Sequence, residues 1–91
     1  MGRDQKKVIG DISEHRAIIR FWQRGYMVFK NVSGQGPIDL VLVHRETGEV
    51  RFIDVKTISY RKSYKPGTRI TRQRTEEQIR LKVELEYVDK D

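Results

Sequence analysis

Pro37-Ile38-Asp39-Leu40-Val41-Leu42-Val43-His44, then Arg45-Glu46-Thr47-Gly48-Glu49, then Val50-Arg51-Phe52-Ile53-Asp54-Val55-Lys56-Thr57 is the stretch that decides the fold. Two apolar, β-branched runs flank a Glu-Thr-Gly-Glu turn, which is the pattern of a hairpin. The first run is nearly continuously apolar from Ile38 to His44 and predicts a strand covered on both faces. The second carries charge at Asp54 and Lys56. Alternate residues of a strand share a face, so Asp54 and Lys56 point the same way, and Asp39 goes with Val41 and Val43. With Thr47-Gly48 as a two-residue turn, Asp39 opposes Lys56 and Val41 opposes Asp54. Opposed Cβ atoms lie about 5 Å apart and diagonal ones about 7–8 Å, so Asp39, Asp54 and Lys56 converge. A slip of one residue would scatter them.

Working outward, Met1 to Lys7 is polar and reads as loose, so residues 1–9 are expected to form a flexible basic N-terminus. Gly10 and Asp11 then open a helix carrying Ile12, Ala17, Ile18, Ile19, Phe21 and Trp22 at near-helical spacing. Gly25 stops it. Tyr26 to Val32 is β-rich, and Ser33-Gly34-Gln35-Gly36-Pro37 is a loop. Beyond the hairpin, Pro66-Gly67 marks a turn, Thr75 can cap a short helix through Leu81, and Lys82 to Val88 alternates as a half-buried strand. The predicted order is αβββαβ: an α/β fold with a mixed sheet flanked by helices, one domain over residues 10–91.

Composition narrows the function. Ninety-one residues make one small domain; 35% are charged and 36% hydrophobic, so the core is modest and a partner could supply burial. A net charge of +6 and a pI near 9.8 attract polyanions, nucleic acid first and a membrane surface second. The plainer alternative is a soluble basic protein with no anionic partner. No cysteine is present, which excludes disulfides and thiolate zinc sites. No apolar run approaches the roughly 20 residues of a membrane span, and no signal peptide is read, so the expectation is no membrane and a cytoplasmic setting.

Two carboxylates suit a hard cation such as Mg²⁺, with Mn²⁺ able to substitute, which takes the rest of its shell from water and substrate phosphate. Asp39 and Asp54 are the candidate ligands, with the Val55 carbonyl as a neutral one. The Lys56 ammonium can orient a water and stabilise charge on a phosphate under attack. The plain reading of Asp39 is a strand-end residue, and of Asp54 and Lys56 a solvated strand face; against it, charge in a Val-rich strand is costly unless paired or metal-bound. Glu14 lies within the apolar stripe of the helix, which aims it at the sheet, yet Asp11-Ile12-Ser13-Glu14 also reads as a capping box. Gln78 has the same ambiguity: it completes Thr75-Glu76-Glu77-Gln78 as a box, or reaches a phosphate or metal-bound water. His15 and His44 are isolated and read as structural. Arg61, Lys62, Lys65, Arg69, Arg72 and Arg74, with no acid between Arg61 and Arg74, predict phosphate contacts. Tyr60 and Tyr64 among them can stack on bases or cover the core. Lys6 and Lys7, with Arg3, are a further basic footprint.

These residues resemble the PD-(D/E)XK nuclease superfamily, whose motif is an Asp at the start of the second strand and (Asp/Glu)-x-Lys on the third. Here that is Pro37-Ile38-Asp39, with one residue inserted in the Pro-Asp pair, and Asp54-Val55-Lys56. The superfamily often adds a Glu on the first helix, which would be Glu14. The likeness runs from Gly10 to Val88. Gly10-Asp11-Ile12-Ser13-Glu14 is similar to the opening of bacterial group I intron homing endonucleases, and Ser33-Gly34-Gln35-Gly36-Pro37 resembles archaeal Holliday junction resolvases. Unlike homing enzymes, which usually carry extra elements that read base edges, this chain has almost nothing beyond the core. The resemblance implies a restriction-endonuclease-like core and a Mg²⁺-dependent DNA endonuclease, homing-endonuclease-like, acting on duplex or branched DNA. A Holliday junction resolvase-type nuclease, a nuclease acting on RNA and an inactive basic DNA-binding module are the alternatives. Cutting two strands at matched positions is simplest with two sites related by symmetry, so a homodimer or homotetramer is expected.

Overall fold

The structure, a computed structural model, describes residues 3–60, 67 and 69–89. A long helix α1 (Arg3–Gln23) leads into strands β1 (Tyr26–Lys30), β2 (Leu40–His44) and β3 (Val50–Thr57). A two-stranded ribbon, β4 (Ser59–Tyr60) with β5 (Arg69–Ile70), precedes a short helix α2 (Glu76–Arg80) and the last strand β6 (Val83–Val88). The sheet order is β1-β2-β3-β6, antiparallel at the first two joins and parallel at the third. The fold is therefore mixed α/β, and the expected order of elements is present with the ribbon added.

The core lies between α1 and one face of the sheet. Ala17 and Phe21 from α1 meet Tyr26, Leu40, Leu42, Ile53 and Val88, with Ile18, Val28 and Val55 packed at the margin. On β6 the acids Glu84 and Glu86 alternate onto this same face. Both are paired there: Arg51 forms a two-pronged pair with Glu84 at 2.8 and 2.9 Å, and Arg20 reaches Glu86 at 3.6 Å. Arg51 holds the Glu84 carboxyl below the ordinary carboxylate range. Ser13 Oγ and Thr57 Oγ1, 2.7 Å apart, tie α1 to the end of β3.

Three expectations need correction. The chain does not stay loose to residue 9, nor does a helix open at Gly10: α1 is helical from Arg3. A glycine inside a helix costs about 1 kcal/mol, but a helix already nucleated by packing from Ser13 to Phe21 gains a hydrogen bond for each residue added. Asp4 in the first turn suits the helix dipole. Asp11 is then interior, and Glu14 closes no capping box. The hairpin turn is also longer than Thr47-Gly48. His44 N–H donates to Glu49 O at 2.8 Å and Gly48 N–H to His44 O at 2.9 Å, while the His44 ring accepts from the Glu46 and Thr47 amides. Gly48 takes φ +74°, which a side chain would resist. Val41 consequently opposes Phe52, not Asp54, a shift of two residues. Finally, β2 is covered on one face only. Leu40 and Leu42 are fully buried, whereas Val41 and Val43 on the other face stay half-buried.

Candidate active site

A two-residue shift preserves the face of every side chain. The Asp39 N–H donates to Ile53 O at 2.8 Å, and the register continued by one step sets Asp39 across from Asp54. Here β2 ends while β3 runs on to Thr57, so Val55 has lost its neighbour on that side. The Asp39 carboxylate takes that place: its Oδ2 accepts from Val55 N–H at 2.7 Å. Asp54 and Lys56 are joined along one face of β3, with Lys56 Nζ 3.1 Å from Asp54 Oδ2. The Asp54 side chain is 9% exposed and that of Lys56 36%, so the amine is the solvent-facing end of the pair.

Gln78 links this pair to α2. Its Oε1 accepts from Thr75 N–H at 3.1 Å and its backbone N–H donates to Thr75 Oγ1, completing the capping box. Its Nε2 donates to Asp54 Oδ2 at 2.7 Å and to Pro37 O at 3.2 Å. The two readings of Gln78 were thus not exclusive: one end of the amide caps the helix and the other holds a carboxylate. Gln78→Glu separates them. Glu can still cap, but it sets a carboxylate against Asp54, and a buried unpaired charge costs about 3–5 kcal/mol. Thermal melts should show Gln78→Glu well below Gln78→Ala at neutral pH, with the gap closing in acid. Equal melting at both would mean that the amide is not needed at Asp54.

Glu14, the third acid, is placed on the sheet side of α1 and adds repulsion at Asp39. Its Oε1 is buried, lies 3.3 Å from Lys30 Nζ and makes no hydrogen bond. The ion pair and the missing hydrogen bond are compatible, since the first needs proximity only. The Asp39 carboxyl is pushed up to about 6, first by burial, then by the adjoining Asp54 carboxyl, against the lowering effect of Val55 N–H. Excess negative charge that the chain leaves uncompensated is what a hard divalent cation would relieve, and the oxygen donors suit one. Among the described residues no three His, Cys, Asp or Glu side chains could hold a metal ion by themselves. Such a cation needs only one or two carboxylates when substrate phosphate completes its shell.

Because the folded-state value for Asp39 lies above its ordinary 3.8, the folded chain binds the proton more readily than the unfolded one. The destabilisation is absent below about pH 4, grows as pH rises through 6 and is complete above it. Asp39→Asn keeps an acceptor for Val55 N–H and removes the charge. The variant should melt higher than wild type at pH 7 and level with it near pH 4; a difference independent of pH would contradict the assignment.

Sequence reasoning missed the residues that set Asp39. Asn31 N–H donates to Asp39 O, and Asn31 Nδ2 donates to Gln35 O and Ile38 O, while its Oδ1 accepts from Ser33. The signal was present: Asn ahead of Ser-Gly-Gln-Gly invites a side-chain turn. Of the basic residues, Lys6 and Lys7 stand exposed on α1. Arg74 Nη1 donates to Val83 O, and the Arg72 backbone clamps the Tyr87 hydroxyl. Arg61, Lys62, Tyr64 and Lys65 lie outside the described residues, as do the side chains of Tyr60 and Arg69. His44 caps its turn, and His15 Nδ1 meets Asp11 O at 2.8 Å, so both act locally. No described helix is long and apolar enough to cross a membrane. No family model, curated protein or solved structure matches this chain.

Proposed function

We propose that this chain is a metal-dependent DNA endonuclease of PD-(D/E)XK type, with a restriction-endonuclease-like core. The observation that carries the reading is the contact of Asp39 and Asp54 where β2 ends, with Lys56 one step along the same face. Asp39 and Asp54, with the Val55 carbonyl, would hold Mg²⁺ or Mn²⁺; bound there, the ion would neutralise phosphate charge and acidify a water. The chain's own part is positioning. Val55 N–H fixes the Asp39 rotamer, and Gln78 fixes that of Asp54. Lys56, the half-exposed member, can donate to a scissile phosphate or its attacking water. Lys6 and Lys7 precede Ser13 and Glu14 by seven residues each, two turns along the same side of α1 and about 10 Å away. They can contact backbone phosphates flanking the site without reading sequence.

One assay tests this: supercoiled, linear and four-way-junction DNA, and a matched RNA, incubated with Mg²⁺ or with EDTA. Strand scission of DNA in Mg²⁺ alone is expected. Preference for the junction would favour a resolving enzyme over a homing-type one. Equal scission in EDTA, or none in Mg²⁺ on any substrate, would overturn the reading.

A further inference from the structure

Helix α1 has a second apolar face that the fold does not use. Ser13, Ala17 and Phe21 are buried against the sheet. Val8, Ile12, Ile19 and Trp22, on the far side, are 54%, 40%, 50% and 58% exposed. With His15 between them, these residues recur at alternating intervals of four and three, a mean of 3.5. An a/d spacing of this kind makes a narrow seam for another helix. Trp22 is the chain's only tryptophan. At the N-terminal end, Asp4, Gln5, Val8 and Ile9 line a shallow hollow.

We propose that this seam is a homodimer interface, in which α1 packs in parallel against α1 of a second copy. Charge chooses the partner and the direction. With Ile12 and Ile19 at the a positions and Val8, His15 and Trp22 at d, Asp11 falls at g and Arg16 at the following e. In a parallel pair, Asp11 of one copy meets Arg16 of the other, twice by symmetry. An antiparallel pair sets the g flank against g and the e flank against e, so Asp11 no longer meets Arg16. One nitrogen of Arg16, Nη1, holds Asp89 O at 2.9 Å in the monomer, and a guanidinium has five donors. Asp4 and Asp11 beside the seam also disfavour an anionic membrane, which selects helices with Lys and Arg on their flanks. The pairing does not depend on what the site between β2 and β3 does.

The test reads mass and fluorescence and is blind to cleavage. Light scattering on the whole chain at micromolar concentration is compared with Trp22 emission across a dilution series. A dimer, or a multiple of one, is expected, with Trp22 emission shifting to the blue as mass rises. Ile12→Lys with Ile19→Lys, both at exposed positions, should leave the circular dichroism unchanged. It should raise the dissociation constant by at least about 100-fold and hold Trp22 emission red at every concentration. Asp11→Arg alone should weaken assembly, and Asp11→Arg with Arg16→Asp should restore it. A monomeric wild type would overturn the proposal. So would a mass unchanged by the double lysine variant, or assembly without a Trp22 shift, which would point to the half-exposed sheet face at Val41 and Val43. A Trp22 shift seen only with phosphatidylcholine–phosphatidylglycerol vesicles would overturn it in favour of a membrane surface.

Discussion

Asp54→Asn is expected to lower metal-dependent strand scission by about 1,000-fold or more, while the protein still folds and binds DNA. The substitution is close to isosteric, and the new amide oxygen can accept from Gln78 Nε2 as the carboxylate does at 2.7 Å. What is lost is charge: Lys56 Nζ, 3.1 Å away, loses its counter-ion, and the site loses half of its carboxylate pair. The same loss relieves repulsion on Asp39, so melting at pH 7 should not fall. Binding measured by anisotropy in EDTA should hold or tighten, since one negative charge has left a phosphate-facing surface. Nicking of a supercoiled plasmid is the sensitive readout. A variant that nicks at the wild-type rate would remove Asp54 from the chemistry and, with it, the proposed reaction.

The second large effect concerns the fold. Phe21→Ala should cost about 3–5 kcal/mol, against a total stability on the order of 5–10 kcal/mol for a domain of this size. Phe21 is fully buried and meets the Tyr26 ring edge-on at 6.1 Å. The guanidinium groups of Arg24 and Arg51 each lie 5.7 Å from its centroid. Truncation removes apolar burial and also the surface on which Arg51 rests while it holds Glu84 and Tyr26. Urea denaturation is the measurement. A loss under 1 kcal/mol would show that α1 is held chiefly by the Ser13–Thr57 contact and the Arg20 pair, not by Phe21.

How much of this could be read from the chain depends on which interactions are local. β3 was legible to its ends, because apolar alternation and the Gly48 turn bound it on both sides. The α2 cap was legible because Thr75 and Gln78 are three residues apart. The hairpin register was not, since it turns on a histidine ring accepting two turn amides, which no propensity encodes. Its error was an even number, and so the grouping of Asp39, Asp54 and Lys56 on one face survived. The start of α1 was misread because Gly10 is a local breaker overruled by packing farther along the helix. The ribbon β4–β5 escaped for the opposite reason: its pairs are brief, and the charges around them carry no period. The half-exposed face of β2 cannot be recovered from its sequence, which records that a residue is apolar and not what covers it.

Helix α2 spans five residues, far short of the 12–15 that make an isolated helix even marginal in water. It persists because one amide, Gln78, grips its own N-terminus and the Asp54 carboxylate at once. Its opening equilibrium is thus linked to the state of that carboxylate. Whatever protonates, replaces or otherwise engages Asp54 changes the hold on Gln78, and the change should surface as altered hydrogen exchange at the Ile79 and Leu81 amides, which close the turn onto Thr75 and Glu77. A few amides on a single helical turn would then work as a gauge, reporting through their exchange the condition of a group that solvent scarcely reaches.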